Sequence, residues 1–510
     1  MNLFEYEMSS ELEKTQWMNS FKITSGLRYF GGKSTIGKYL VNRILNMAVK
    51  MKQDGQRADI FVDMFAGGGK IALSMPEGFF DAIVMNDLNY GICSFFECCK
   101  EKPEALIRMI EELGAVMSKE VFLFCAYNRN NDRDTNRKVE ADRLIEEYNL
   151  IQKENNIDEL KKEAKELIKC KGITDEEIKI LQFDGLTKEE KLSIKNINLN
   201  EKEKTTIIHA QKVKDAEHIL KVYNLLNDNK VEPLVSAAMT YWVTQTSFNG
   251  VTDPKKVSYR LGMRDNKSGL PTRGNEKEDI EKVIIHARKH IKLVHDKMHR
   301  LNIIVEHLDY RELIKKYNGM PYKTVYNEEG QDENYKRYNK LWYGDSPYHP
   351  ATLNGAEAAP YEDTFSLDMA REMINILHGD NKDIYGEIEY FIKSDYSPKY
   401  TCKQFGWQVQ EAERKLAEEE KKGKRKERIT SYKNYIARMK RQLAFSEACY
   451  KDFDKLEDNL AWEGHEANTT NPEFYVMDLG EFDKGAVNAE DGSKLKGKEF
   501  IWCRGNYIPE

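Results

Sequence analysis

Asp345-Ser346-Pro347-Tyr348 closes the apolar run Leu341-Trp342-Tyr343-Gly344 and sets a carboxylate, a main-chain carbonyl and an aromatic ring at one strand end. An exocyclic amine on a nucleobase is a poor nucleophile, because its lone pair is conjugated into the ring. Two acceptors that take its N–H bonds push it toward a tetrahedral, reactive geometry, and an aromatic face holds the base by stacking. The chemistry these residue types suit is therefore methyl transfer to such an amine. Pro347 restricts the residue before it to an extended backbone, which holds the Ser346 carbonyl. The same four letters also make an ordinary turn after a strand.

A second constellation lies upstream. The apolar run Asp59-Ile60-Phe61-Val62-Asp63-Met64-Phe65 ends in Ala66-Gly67-Gly68-Gly69, and a further run, Ala82-Ile83-Val84-Met85, ends in Asn86-Asp87. Glycines after a strand let a ligand approach the backbone, and an acidic residue about 20 positions on suits two ribose hydroxyls; Asp87 sits there. The competing readings are a tight strand–helix turn with a helix-capping aspartate, or a dinucleotide fingerprint. The fingerprint wants G-x-G-x-x-G, and Ala72 stands at its last glycine.

Strand, glycine turn, helix and strand make a βαβ unit with a parallel sheet, so the fold class expected is α/β. Ahead of it, Ile36, Tyr39, Leu40, Ile44 and Leu45 form the apolar stripe of an amphipathic helix, and residues 1–24 read as an irregular lead-in with one short helix. With 510 residues, the chain is too long for one core. Charged residues make up 32%, and mean hydropathy is -0.70, so much solvated helix is expected. No apolar stretch approaches the ~20 residues that span a bilayer, the N-terminus lacks a signal-peptide layout, and the eight cysteines form no CxxC pair. These features point to reduced thiols and a cytoplasmic protein. The net charge of -6 decides nothing about a polyanionic partner. Residues from about 128 to 229 and from about 407 to 460 are rich in Glu and Lys and read as charged helical arms. Strand signals return at Asn302-Ile303-Ile304-Val305, at Glu473 to Met477 and at Glu499 to Cys503.

Taken in order, R-Y-F-G-G-K-S at 28–34, D-M-F-A-G-G-G at 63–69, N-D at 86–87, H-L-D-Y at 307–310 and D-S-P-Y at 345–348 resemble the motifs of adenine-specific DNA methyltransferases, the group typified by the bacterial DNA adenine methylase. Thr246-Ser247-Phe248-Asn249-Gly250-Val251 with Tyr259-Arg260, Tyr361-Glu362-Asp363-Thr364-Phe365, and the closing stretch from Phe500 to Tyr507 are also similar to that family. The charged stretches at 128–230 and 407–460 lie outside the resemblance. It implies a Rossmann-like S-adenosylmethionine-dependent fold with helical insertions and a DNA-recognition subdomain. The organisation expected is a cofactor-binding half at 21–127, a charged helical insertion at 128–235 and a DNA-recognition hairpin region at 236–299. A catalytic half at 300–405, a charged helical arm at 406–469 and closing strands of the sheet at 470–510 follow.

The resemblance implies roles for individual residues. Gly31, Gly32 and Lys33 would meet the methionine end of S-adenosylmethionine, and Tyr29 and Asp63 would also touch the cofactor. Phe65, Gly67 and Gly69 would form its backbone cradle, Asp87 would take its ribose, and Asp309 its adenine amine. Asp345 would accept one hydrogen of the target amine, in contact with the cofactor as well, and the Ser346 carbonyl would accept the other. Pro347 would stiffen the turn and Tyr348 stack on the flipped base. Transfer would be direct, without a metal. The partner implied is double-stranded DNA, read by Asn249, Lys256, Arg260, Arg264 and Arg273; a separate restriction nuclease is left open, and no membrane is involved. Cytosine-N4 enzymes resemble S-P-P-Y and protein glutamine methyltransferases N-P-P-Y, so neither group fits as well. Alternatives are adenine methylation of RNA or single-stranded DNA, or an inactive DNA-binding pseudoenzyme. The family more often has proline where this chain has Ser346 and Met64. A residue at 346 that acts through its carbonyl should tolerate the change.

Overall fold

The computed structural model describes residues 1–28, 36–130, 139–173, 199–223, 226–227, 230–247, 250, 252–253, 259–261, 263–265, 271–273, 276–319, 322–326, 332–347, 365–396, 398–422, 426–449, 452–453, 474–487 and 494–504. They fall into two compact units. The first comprises residues 1–103, 247–258 and 288–510; the second comprises residues 104–246 and 259–287.

The first unit is built on a seven-stranded sheet. In chain order its strands are β1 (Ile60–Asp63), β2 (Ala82–Asn86), β3 (Ile303–Glu306), β4 (Lys340–Gly344), β5 (Phe391–Tyr396), β6 (Phe474–Val487) and β7 (Lys494–Arg504). Their order across the sheet is β6-β7-β5-β4-β1-β2-β3. Pairing is parallel from β5 to β3, and β7 runs antiparallel between β5 and β6. The chain leaves β1 in one direction through β2 and β3 and in the other through β4 and β5. The switch point is therefore the β1/β4 crevice, where open α/β sheets bind ligands outside the carboxyl ends of their strands. This is the Rossmann-like methyltransferase architecture expected. β1 and β4 are buried along their whole length, which is why both read as continuous apolar runs rather than alternating ones.

Several local expectations are corrected. The lead-in holds two helices, α1 (Leu3–Met8) and α2 (Glu11–Ser20), each opened by a capping box, Asn2 with Glu5 and Ser10 with Glu13. The amphipathic helix is α3 (Gly37–Gln53), with Leu40, Ile44 and Leu45 fully buried. Tyr39 is 42% exposed, and Arg43 lies over its ring instead of the core. No α-helix follows the glycine turn. Ala72–Ser74 makes one 3₁₀ turn, because Pro76 and Gly78 interrupt the short span before β2. A helix N-terminus is therefore not available there.

β2 leads into α4 (Tyr90–Glu101). The second unit holds most of α5 (Pro103–Ala115), then α6 (Lys119–Asn128), α7 (Val139–Glu154), α8 (Ile157–Lys171), α9 (Glu201–Tyr223) and α10 (Pro233–Thr246). The charged helices α7, α8 and α9 share thin apolar seams, Ile151, Leu160 and Val213 in one and Ile173 with Ile207 in the other. These seams and the Lys161–Glu217 pair between α8 and α9 tie the helices together. α10 is apolar on nearly every side and buried accordingly, and its Trp242 Nε1 donates to the Ile110 carbonyl at 3.0 Å. α11 (Glu276–Arg300) returns the chain to the first unit, followed by α12 (Tyr310–Asn318) and α13 (Leu367–His378). α14 (Pro398–Lys422) and α15 (Lys426–Cys449) pack as a helical hairpin through Phe405, Val409 and Met439.

None of the eight cysteines, all of them among the described residues, forms a disulfide. Burial pushes Cys98 up to about 11 and Cys125 and Cys503 up to about 12, so none of these three is a ready thiolate nucleophile. Among the described residues no helix is long and apolar enough to cross a membrane.

Candidate active site

Parallel register sets Asp63 level with Met85 on β2 and Tyr343 on β4. Two residues further on, both neighbours end in carboxylates, Asp87 and Asp345. Three acidic groups thus rim the carboxyl ends of β2, β1 and β4. Asp63 is only 2% exposed. Burial pushes its carboxyl well above the usual range; Asp345 and Asp87 raise it further, while the Phe65 and Ala72 N–H groups pull the other way. Its Oδ1 is buried without a hydrogen-bond partner. Among the described residues no cluster of His, Cys, Asp or Glu is disposed to hold a metal ion.

The glycine turn is closed by Asp87. Its Oδ2 accepts from Gly67 N–H at 2.8 Å and its Oδ1 from Asn89 N–H at 2.9 Å. Asp87 is not a helix cap: that role falls to Asn89, whose side chain accepts from Ile92 N–H at the start of α4. Gly69 takes φ 70°, and a Cβ there would come within 2.6 Å of the Phe96 ring, so only glycine fits. The Gly68 carbonyl accepts from Gly26 N–H at 2.8 Å and Leu27 N–H at 3.2 Å. This brings the lead into the R-Y-F-G-G-K-S stretch against the turn. Tyr29, Gly31, Gly32 and Lys33 themselves lie outside the described residues.

Asn86 is a site residue whose role the sequence does not reveal. Its buried amide donates to the carbonyls of Met64 and Leu308, both at 3.0 Å, while its Oδ1 accepts from Leu308 N–H at 3.0 Å. One side chain thereby fixes the loops after β1 and β3. Losing such a buried partner leaves groups unsatisfied at about 1–3 kcal/mol. The β3 loop carries Asp309, the N-cap of α12, which accepts from Arg311 N–H at 2.9 Å. Arg311 also grips it through Nε at 2.7 Å and Nη2 at 2.9 Å. Burial pushes the Asp309 carboxyl up, but Arg311 outweighs it and the net shift is downward. Phe65, half-buried, lies 5.8 Å from the Tyr310 ring and 6.1 Å from Phe365, an aromatic group beside this loop.

At β4, Met64 fills the space over Gly344, where a Cβ would meet its Cε at 2.8 Å. Its packing role is thus distinct from that of a turn proline. Asp345 accepts from Ser394 Oγ at 3.1 Å. Ser346 is 2% exposed, and its hydroxyl accepts from Lys393 Nζ at 3.2 Å. The side chain at 346 is therefore engaged as well as its carbonyl. Pro347 is half-buried; Tyr348 lies outside the described residues, as do Asn249 and Lys256. Arg260 is half-buried, and its N–H donates to the Thr246 carbonyl at 2.9 Å. Met263–Asp265 and Pro271–Arg273 form a small antiparallel hairpin, with Arg264 opposite Thr272 and Arg273 opposite Met263.

The doubly wound sheet, with its acidic rim at the switch point, is an α/β architecture that suits a methyltransferase. Residues 29–216 match the family model described as D12 class N6 adenine-specific DNA methyltransferase. That match bears out the resemblance read from the motifs, and with it the enzyme class, a methyltransferase of DNA adenine. It also runs on through α7 and α8 into α9, charged helices that the motif resemblance does not reach. A comparison with curated proteins finds no match.

Proposed function

We propose that the chain is a site-specific methyltransferase, moving a methyl group from S-adenosylmethionine to the N6 amine of an adenine flipped out of duplex DNA. The observation that carries this reading is the acidic rim of Asp87, Asp63 and Asp345 beside the glycine turn. A buried, partnerless Asp63 Oδ1 there suits a cationic, hydrogen-bond-donating ligand. S-adenosylmethionine has that character, and when bound it supplies a methyl group on positively charged sulfur.

The chain's own residues do the rest. Asp87, already oriented by the Gly67 N–H, accepts from ribose hydroxyls. Gly67 and Gly69 allow close approach, and Phe65 bounds the cradle. Asp63 faces the cationic end together with Tyr29, Gly31, Gly32 and Lys33. Asp309, held by Arg311, accepts from the cofactor's adenine amine. Asp345 and the Ser346 carbonyl take the two hydrogens of the target amine, so its lone pair is freed for attack, and Asp345 is placed to receive the proton the methylated amine sheds. Extruding the base costs a few kcal/mol, and stacking on Tyr348 returns ~1–3 kcal/mol of it. Arg260, the hairpin arginines Arg264 and Arg273, Asn249 and Lys256 supply the DNA contacts. Action on cytoplasmic DNA, with or without a separate restriction nuclease, belongs to the same reading.

Incubation with tritiated S-adenosylmethionine and plasmid, followed by digestion to nucleosides, tests it. Label is expected in N6-methyldeoxyadenosine. Label only in RNA or in cytosine would refute the assignment, and cofactor binding without transfer to any duplex would favour the pseudoenzyme.

A further inference from the structure

β5 carries three consecutive polar residues that are all buried: Lys393 at 3% exposure, Ser394 at 0% and Asp395 at 1%. Burying an ammonium and a carboxylate in a sheet is costly, and a pair of apolar residues would be cheaper. Their placement indicates what the triplet does. β5 runs parallel to β4 with Lys393 level with Gly344, so the residues that follow lie beside Asp345 and Ser346. Successive strand residues face opposite sides of the sheet. On one side Ser394 Oγ donates to Asp345 Oδ1 at 3.1 Å and lies 3.1 Å from the Tyr343 hydroxyl. A serine hydroxyl has one proton, and it is given to Asp345, so the Tyr343 phenol donates to Ser394. On the other side Lys393 Nζ donates to Ser346 Oγ at 3.2 Å and to Asp395 Oδ2 at 2.8 Å. Its ammonium is flanked by the rings of Phe453 at 5.7 Å and Trp502 at 5.8 Å.

We propose that Ser394 and Lys393 are positioning residues for the two acceptors of the target amine. Ser394, backed by Tyr343, pins one carboxylate oxygen of Asp345; this fixes the carboxylate plane and so the direction of the other oxygen. Lys393 pins the Ser346 side chain and, through it, the direction of the Ser346 carbonyl. The buried Asp395 holds Lys393 in place. Serine at 346 is thus not only a tolerated letter of the tetrapeptide, because its hydroxyl is the acceptor a neighbouring strand requires. The inference rests on the reading of Asp345 and the Ser346 carbonyl as amine acceptors.

The test is single-turnover methyl transfer to duplex DNA by the full chain, alongside cofactor affinity by calorimetry and duplex affinity by anisotropy. Ser394→Ala and Ser346→Ala are each expected to slow transfer about tenfold or more, since small misplacements of reacting groups are costly. Cofactor and duplex affinities should stay within about twofold. Ser394→Thr, which keeps the hydroxyl, should restore most of the rate. Unchanged rates in both alanine variants would overturn the proposal. So would a Ser394→Ala loss that threonine does not restore, or one matched by an equal loss of cofactor affinity, since either marks damage to the fold. A wild-type chain that transfers nothing to adenine overturns the functional reading itself; an active wild type with Ser394→Ala and Ser346→Ala both indifferent overturns only the positioning role.

Discussion

Asp63→Asn should make the cofactor-free protein more stable and its cofactor binding weaker. The carboxyl is 2% exposed, faces Asp345 and Asp87, and has one buried oxygen without a partner. Because its native pKa is raised, the folded chain holds a proton that the unfolded chain gives up at ordinary carboxylate pH. Stability from this group is full below that range and falls as pH climbs toward the native value. An amide has the same shape and no such titration. Each factor of ten in proton affinity between the folded and unfolded chain is worth about 1.4 kcal/mol, and for a domain of 150–250 residues each kcal/mol is roughly 2–4 °C in Tm. Asp63→Asn should therefore melt a few degrees higher than wild type at pH 8. The gap should close as pH is lowered through the carboxylate range. Affinity for S-adenosylmethionine should drop roughly tenfold, the size of one hydrogen bond to a charged group. Differential scanning fluorimetry across pH and titration calorimetry read both effects. A variant less stable than wild type at every pH, with unchanged cofactor affinity, would refute the reasoning and leave Asp63 as an ordinary structural acceptor.

Other outcomes follow from the same geometry. Asp345→Ala should abolish transfer in the tritium assay while the chain still binds cofactor by calorimetry, weakened by no more than about tenfold; surviving activity would mean the acceptor lies elsewhere. Asp309→Asn keeps an N-cap but loses the charge that Arg311 grips, so it should cost about 1 kcal/mol by chemical denaturation near pH 7. Because Arg311 holds the Asp309 carboxyl below its ordinary value, that difference is present above the carboxylate range and should vanish as pH falls through the native value.

Much of the sheet is readable because β1, β2 and β4 are buried on both faces, and such strands are continuous apolar runs. The ends of β1, β2 and β4 could be placed almost to the residue, and with them Asp63, Asp87 and Asp345. What a single chain pattern misses is partnership across long separations. Asn86 reads as a turn residue, yet it binds a carbonyl 222 positions away. Lys393-Ser394-Asp395 is a polar triplet in the sequence, and only its register against β4 shows the three side chains buried beside that strand's end. The grip of Arg311 on Asp309 depends on the turn before α12, which the sequence leaves unspecified. After the glycine turn the largely apolar stretch from Ile71 to Met75 favours helix, but Pro76 with Gly78 allows it only one 3₁₀ turn.

The most direct measurement sequences genomic DNA from a methylation-deficient host that expresses the wild-type chain or Asp345→Ala, by a method that registers methylated bases in place. The account predicts N6-methyladenine within one recurrent sequence in the wild-type sample and none in the variant sample. Methylcytosine in its place, no modified base, or equal adenine methylation in both samples would contradict it.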